Sequence, residues 1–234
     1  MGRHETFNLD GASRRCQFFG LVDTMRAMRI SPDDPLLLRI VDGLAERGWS
    51  QQNLFVPQGL TLELAAECRK RARAGELAPA AVGRGDAQEV REGIRGDHIQ
   101  WVEPADSEPS DTYLQMMDSL RVALNRQLFL GIEEFECHFA QYPPGAFYRR
   151  HVDRFRDDDS RVVSVVLYLN TGWTPGDGGE LRLYLDGEPD CDVPPVGGSL
   201  IAFLSADIPH EVLPATRERL SITGWFRRRP NELF

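Results

Sequence analysis

The stretch RVVSVVLYLN, residues 161–170, decides the fold class, because its β-branched and aromatic residues are typical of a strand. The odd positions from Val163 to Leu169 are all apolar, whereas Ser164 and Tyr168 share the even face with Val166. RLSITGWF, residues 219–226, alternates in the same way and places four side chains on one face: Arg219, Ser221, Thr223 and Trp225. A polar face on one strand is most simply turned to water. The two strands together also fit polar faces that point into a ligand-holding barrel.

The chain changes character at Glu133. After this residue come short segments rich in β-branched and aromatic residues, such as FECHFAQY, GELRLYL and GSLIAFLS, separated by turns such as PPG, TPGDGG and PPVGG. Short strands at this spacing predict an all-β sandwich or barrel. Three earlier segments have apolar residues at helical spacing: PLLLRIVDGLAERGW, which should stop at Gly48, then LTLELAAECRKRARAGEL and SDTYLQMMDSLRVALNRQLFLG.

These patterns predict an α+β, mainly β chain with helices packed against a C-terminal β unit. Residues 1–33 have weak periodicity and lead into SPDDP, so we expect an N-terminal extension there. The remainder, 34–234, is expected to form a single domain, with helical support in 34–130 and the β core in 131–228. A chain of 234 residues has room for one substantial core of this kind.

Composition narrows the class of partner and the compartment. A net charge of −9 argues against nucleic acid and against an anionic membrane, and no apolar run approaches the roughly 20 residues that cross a bilayer. The N-terminus lacks the apolar core of a secretory signal. The four cysteines are widely scattered without a CxxC pair, which is typical of free thiols: Cys16, Cys68, Cys137 and Cys191. We therefore expect a cytoplasmic protein with no membrane partner.

RRHVDRF, residues 149–155, raises the question of a metal site at His151 and Asp153. A His-x-Asp triplet alone is weak evidence, so a third ligand must come from another histidine: His4, His98, His138 or His210. His210 is favoured because it follows a turn at the start of a predicted strand, whereas an ordinary hydrogen bond would explain His138. Two histidines and one carboxylate form the facial triad of non-haem Fe(II) oxygenases. Zinc is the rival metal, although the HExxH motif of many zinc hydrolases is absent.

Arg219 favours iron over zinc. If a hairpin turn centres between Pro214 and Ala215, His210 and Arg219 become cross-strand partners about 5 Å apart. A metal-bound histidine beside an arginine makes sense if an anionic ligand bridges them. A dicarboxylic keto acid such as 2-oxoglutarate could chelate the metal and bind the guanidinium through its far carboxylate. Tyr168 could donate a hydrogen bond to that carboxylate.

The motifs HVD (151–153), PHEV (209–212) and RLSITGWF resemble the 2-oxoglutarate- and Fe(II)-dependent oxygenases of the prolyl 4-hydroxylase superfamily. The likeness is closest to the hypoxia-inducible-factor type of prolyl hydroxylase and its bacterial relatives. IRGDHIQW, QYPPGAFYRRHVD, VLYLNTGW and DGGELRLY follow in the expected order, so the resemblance spans roughly 36–226. It implies a double-stranded β-helix, a jelly-roll core supported by the N-terminal helices.

The resemblance also implies roles for individual residues. The iron ligands would be His151, Asp153 and His210. The 2-oxoglutarate pocket would comprise Arg219, Tyr168, Tyr142, Thr223 and Trp225. On the substrate side, an ion pair between Asp97 and Arg161 would anchor a lid loop of about residues 83–95, and Trp101 would lie near the substrate.

The implied activity is that of a dioxygenase that uses O2. It would couple the decarboxylation of 2-oxoglutarate to succinate and CO2 with C–H hydroxylation, with ascorbate as a possible reductant. The substrate would be a prolyl residue of a protein. Elongation factor Tu is the candidate partner because bacterial relatives are associated with it, and oxygen sensing is a further role found in the family. A small-molecule hydroxylase, a zinc hydrolase with a water-activating base, and a non-catalytic binding or sensing module remain alternatives.

Overall fold

A computed structural model describes residues 30–81, 93–154 and 159–229 of the chain. The expected N-terminal extension falls almost entirely outside these residues, and so does most of the expected lid loop at 83–95. The helical layer and the β core both lie within them.

The three predicted helices are confirmed, with bounds α1 Pro35–Arg47, α2 Gln58–Arg73 and α3 Glu108–Leu128. The side chain of Asp34 caps α1 by accepting a hydrogen bond from the Leu36 amide at 2.8 Å. Gly48 ends α1 as predicted, with a φ of 78° that suits glycine at a helix C-terminus. Apolar side chains on one face of α1, including Leu37 and Ile40, are fully buried against the β unit. Each such burial contributes about 1.5–3 kcal/mol.

Eleven strands lie within the described residues and form two antiparallel sheets. Their bounds are β1 Trp49–Gln52, β2 Ala78–Pro79, β3 His98–Trp101, β4 Ile132–Tyr142, β5 Tyr148–His151, β6 Arg161–Tyr168, β7 Leu181–Leu183, β8 Cys191–Val193, β9 Leu200–Leu204, β10 His210–Val212 and β11 Arg219–Arg228. The larger sheet has the order β1-β9-β6-β11-β4-β3-β2, and the smaller has the order β5-β10-β7-β8. Two sheets of seven and four strands give the jelly-roll core that was predicted.

The alternation along β6 and β11 separates two cores. The odd residues of β6, such as Val163 and Val165, pack with the helices on the outer face of the larger sheet. The even residues, Val166 and Tyr168, pack between the two sheets. The polar faces of β6 and β11 therefore point into the barrel and not to water.

The predicted hairpin between His210 and Arg219 is wrong. His210 in β10 pairs with His151 in β5, whereas Arg219 in β11 pairs with Tyr142 in β4, so the two residues belong to different sheets. The connection at 213–218 crosses between the sheets. It is held by neighbours distant in sequence, since the Leu213 amide donates to the Glu180 carbonyl at 2.9 Å. The barrel thus brings the two side chains toward one cavity from opposite walls.

Two bulk expectations can be compared with this part of the chain. None of the described helices combines the length and the apolar composition that crossing a bilayer requires. Cys68, Cys137 and Cys191 are free thiols, as their scattered spacing predicted.

Candidate metal and cosubstrate site

His151, Asp153 and His210 meet at the smaller sheet. Strands β5 and β10 place the two histidines opposite each other, with ring centres 4.2 Å apart, and Asp153 follows β5. Asp153 Oδ1 lies 3.5 Å from His151 Nε2, and Asp153 Oδ2 lies 3.7 Å from His210 Nε2. One donor atom from each residue falls within 4.8 Å of the others, which is compact enough to hold one metal ion.

Backbone carbonyls fix which nitrogen of each histidine is available. His151 Nδ1 lies 2.7 Å from the Arg149 carbonyl oxygen, and His210 Nδ1 lies 3.1 Å from that of Ile208. Because a carbonyl oxygen only accepts, Nδ1 carries the proton in both rings and the Nε2 lone pair remains for a metal. Tyr148 also stacks on the His151 ring at 3.6 Å, which restrains its orientation.

The charges in this cluster suit a divalent cation. Burial lowers the pKa of His210 to about 4, and the opposing effect of Asp153 is smaller, so the imidazole is neutral at pH 7. Burial alone would raise the pKa of Asp153. His210, His151 and the Ser164 hydroxyl outweigh burial and hold the pKa of that carboxyl well below its usual range. Two histidines and one carboxylate are the ligand set of facial-triad Fe(II) sites, so the residues present fit iron.

Arg219 is a buried cation with no carboxylate partner among the described residues. Its exposed fraction is 1%, and its Nε donates to the Gly179 carbonyl at 2.8 Å. Within residues 30–81, 93–154 and 159–229, no carboxylate forms an ion pair with it. The guanidinium carbon lies 5.2 Å from the ring centre of Tyr168, whose buried hydroxyl has Arg219 as its polar neighbour and makes no hydrogen bond of ordinary geometry to the described residues. An uncompensated charge beside an unsatisfied hydroxyl is costly, so this arrangement fits the carboxylate of a ligand.

One cavity of about 460 Å³ joins the histidine cluster to Arg219. Its volume lies in the usual range for small-ligand sites. Its lining includes most of the predicted site residues: His151, Asp153, His210, Arg219, Tyr142, Thr223, Trp225, Asp97, Trp101 and Arg161. Tyr168, which is fully buried, is absent from the lining and lies behind it beside Arg219.

The predicted ion pair between Asp97 and Arg161 does not form among the described residues. Arg95 binds Asp97 instead, through two hydrogen bonds of 2.7 and 2.5 Å. Arg161 donates to Glu136 at 2.9 Å and lies over the ring of Trp225, with its guanidinium carbon 3.6 Å from the ring centre. The reason is local: Trp225 pairs with Glu136, so the neighbouring strands supply Arg161 with a closer carboxylate.

Residues outside the predicted site set also belong to the site. Ser164 donates to Asp153 Oδ2 at 2.7 Å and contacts Ser205 at 2.9 Å. His138 lines the cavity between the rings of Trp101 and Trp225, with centroid distances of 5.2 and 5.5 Å. Ser164 could have been found, because it shares the inward face of β6 with Tyr168. His138 was considered only as a metal ligand and was assigned an ordinary hydrogen bond, so its place in the cavity was not predicted.

This barrel, with its facial ligand cluster and its buried unpaired arginine in one cavity, defines the class of non-haem iron oxygenases that use 2-oxoglutarate. A sequence model described as the 2OG-Fe(II) oxygenase superfamily matches residues 137–227. A crystal structure of a Pseudomonas putida prolyl-4-hydroxylase is similar at 61% identity and a TM-score of 0.77, covering 82% of this chain and 99% of that one. The chain therefore belongs to the prolyl hydroxylase superfamily of 2-oxoglutarate- and Fe(II)-dependent oxygenases.

Two less similar relatives are also prolyl hydroxylases. A Trichoplax adhaerens prolyl hydroxylase, in complex with a hypoxia-inducible-factor oxygen degradation domain peptide, is 29% identical with a TM-score of 0.75; the match covers 82% of this chain and 89% of that one. The hypoxia-inducible factor prolyl hydroxylase of Caenorhabditis elegans is 28% identical over 86% of this chain and 30% of its own length. The chain thus spans about a third of the length of the curated relatives that it matches.

Proposed function

We propose that this chain is an Fe(II)- and 2-oxoglutarate-dependent dioxygenase that 4-hydroxylates a prolyl residue of a protein. The observation that supports this best is the buried guanidinium of Arg219, which forms no ion pair in the described part of the chain and shares a cavity with His151, Asp153 and His210. A metal site alone would leave that cation unexplained. A dicarboxylate that spans the cavity would satisfy the metal at one end and Arg219 at the other.

The residues of the site would bind and orient rather than transfer protons. His151, Asp153 and His210 would hold the iron, and Arg219 with Tyr168 would hold the far carboxylate of 2-oxoglutarate. Tyr142, Thr223 and Trp225 would shape the pocket around it. When bound, the iron supplies the oxidising chemistry by which 2-oxoglutarate, O2 and the prolyl substrate become succinate, CO2 and the hydroxyprolyl product.

A hydrolytic zinc site is less well supported by the same geometry. Such a site needs a general base that can activate water near the metal. Besides Asp153, the only carboxylate that lines the cavity in the described part of the chain is Asp97, and Arg95 already binds both of its oxygens. A carboxylate held in this way is poorly placed to accept a proton from water.

A protein substrate fits the open side of the cavity. Trp101 stands at this side with 44% of its surface exposed, although aromatic side chains of this size are usually more buried. We propose that it contacts the polypeptide that enters the site, near Asp97 and Arg161. Our candidate substrate is elongation factor Tu in the bacterial cytoplasm, and a small-molecule substrate is the rival that experiment must exclude.

The test is succinate formation from 2-oxoglutarate in air with Fe(II) and ascorbate, with and without purified elongation factor Tu. Mass spectrometry of the target would then locate the mass of one added oxygen atom. Asp153→Asn serves as the metal-site control, since the amide is a weaker ligand for a hard cation. Zn(II) in place of Fe(II) tests the hydrolase alternative.

Target-stimulated turnover with the added oxygen on a proline, lost in Asp153→Asn, is the expected result. Succinate formation that the target does not stimulate would retain the oxygenase and refute this substrate. The absence of turnover with every metal, in protein that is folded and binds metal, would overturn the proposed activity.

A further inference from the structure

Asp153 is held by two serines, Ser164 in β6 and Ser205 directly after β9, although it lies only two residues after His151. Ser164 in β6 donates to Asp153 Oδ2 at 2.7 Å, and the Ser164 and Ser205 hydroxyl oxygens are 2.9 Å apart. Both serines have no exposed surface. The Asp153 amide also donates to the Ser205 carbonyl at 3.2 Å. The carboxylate is therefore fixed through its side chain and its backbone at once.

The direction of these hydrogen bonds follows from counting protons. A carboxylate only accepts, and a serine hydroxyl has one proton. Since Ser164 gives its proton to Asp153, it can only accept from Ser205, so Ser205 is the donor in the serine pair. The two hydroxyls thus form a directed chain from Ser205 through Ser164 to Oδ2.

We propose that Ser164 and Ser205 are positioning residues that set how Asp153 binds the metal. The hydrogen bond from Ser164 engages Oδ2, 3.7 Å from His210 Nε2, and leaves Oδ1, 3.5 Å from His151 Nε2, as the oxygen that Ser164 does not contact. Asp153 would then bind the metal through Oδ1 alone, as the carboxylate of a facial-triad site does. Partners of this kind fix the orientation of ligands, and their loss typically lowers metal affinity by about 10- to 100-fold.

Alternatively, the hydrogen bond between the two buried serines could serve only the packing of β6 against β9. That role predicts a loss of stability without a specific change at the metal. The positioning role predicts that metal affinity and coordination change in folded protein. The two roles therefore differ in a measurement made without turnover.

The purified full chain is titrated with Mn(II), and the concentration of free Mn(II) is measured by electron paramagnetic resonance. Visible spectra of the Co(II)-loaded protein report coordination number. The variants are Ser164→Ala, Ser164→Thr, which keeps the hydroxyl, and Ser205→Ala. Ser119→Ala is the matched control, because Ser119 is also buried but bonds to the Gln115 carbonyl in α3. Melting of the metal-free protein monitors folding.

Ser164→Ala should weaken Mn(II) binding by about 10- to 100-fold and change the Co(II) spectrum, while Ser164→Thr stays within about threefold of wild type. Ser205→Ala should weaken binding by a smaller factor, about two- to fivefold, because it only orients and polarises the donor. Ser119→Ala should bind like wild type. If Ser164→Ala does not fold, Ser164→Thr and Ser205→Ala still give the comparison.

Wild-type Mn(II) affinity in folded Ser164→Ala would refute the role of Ser164. Wild-type affinity in Ser205→Ala would refute the role of Ser205. An equal loss in Ser164→Thr and Ser164→Ala would also overturn the proposal, because it would assign the effect to packing. The inference rests on the proposed metal site, but the two fail differently. If wild type and Asp153→Asn bind Mn(II) equally, the metal site is refuted. If only the serine variants match wild type, the positioning role alone is refuted.

Discussion

The guanidinium carbon of Arg219 lies 5.0 Å from the ring centre of Tyr142, its cross-strand partner in β4. The aromatic face partly compensates the buried charge, but a cation–π contact is weaker than an ion pair. Burying the Arg219 charge therefore lowers the stability of the ligand-free protein. We infer that the compensation comes when a carboxylate binds.

Arg219→Met should raise the KM for 2-oxoglutarate at least tenfold, because a charged hydrogen bond contributes about 1.5–3 kcal/mol. The ligand-free protein should keep or gain melting temperature, since an uncompensated buried charge is replaced by an apolar side chain. Thermal melting with and without 2-oxoglutarate checks both points. Arg121→Met on the surface of α3 is the control. Marked destabilisation of ligand-free Arg219→Met would contradict this account.

Gly179→Ala should displace Arg219. A Cβ at this glycine would lie 2.9 Å from the Ala215 Cβ and 3.3 Å from the Arg219 Cδ, and the φ of +75° is itself unfavourable for alanine. We expect a several-fold higher KM for 2-oxoglutarate and a loss of about 1–3 kcal/mol in stability. Gly187→Ala separates the two effects, because Gly187 has the same φ and nothing within 4 Å. A similar KM in both variants would refute the steric argument.

Periodicity along the chain was sufficient to predict the layers of the fold. The alternation in 161–170 and 219–226 identified the inward faces, and helical spacing identified α1, α2 and α3. The strands β1, β2, β5 and β8 were missed, because two to four residues show little periodicity and no apolar alternation marked these segments. A motif resemblance, in contrast, carries residue identities that periodicity cannot provide.

Contacts between distant segments were the part that the sequence did not reveal. His210 and Arg219 are nine positions apart, and local turn chemistry favoured a hairpin between them. The actual partners of β10, strands β5 and β7, lie far away in the sequence. The partner of Asp97 was mistaken for the same reason, since side-chain packing decides between Arg95 and Arg161 and no spacing rule does.

The observed partner of Asp97 can be tested by double-mutant cycles. Arg95→Met and Asp97→Asn should show a coupling energy of at least about 1.5 kcal/mol in urea unfolding, because the pair is bidentate and Asp97 is 2% exposed. Arg161→Met with Asp97→Asn should be additive within about 0.5 kcal/mol. Stronger coupling to Arg161 than to Arg95 would show that the predicted pair forms in solution.

His138 should make the protein sensitive to mild acid. Burial, the largest effect, lowers the pKa of His138 from 6.5 to about 4. His138 is therefore protonated near pH 6.5 in the unfolded chain but only near pH 4 in the folded chain. The free energy of unfolding falls as the pH drops from 6.5 towards 4. By linkage the loss is roughly 2 kcal/mol at pH 5.

His138→Met cannot take up this proton, and the other titrating groups cancel in the comparison. Urea unfolding with EDTA at pH 7 and pH 5 should thus show the variant gaining roughly 2 kcal/mol relative to wild type. If the difference in unfolding free energy between variant and wild type did not change with pH, His138 would take up its proton as readily in the folded protein as in the unfolded chain.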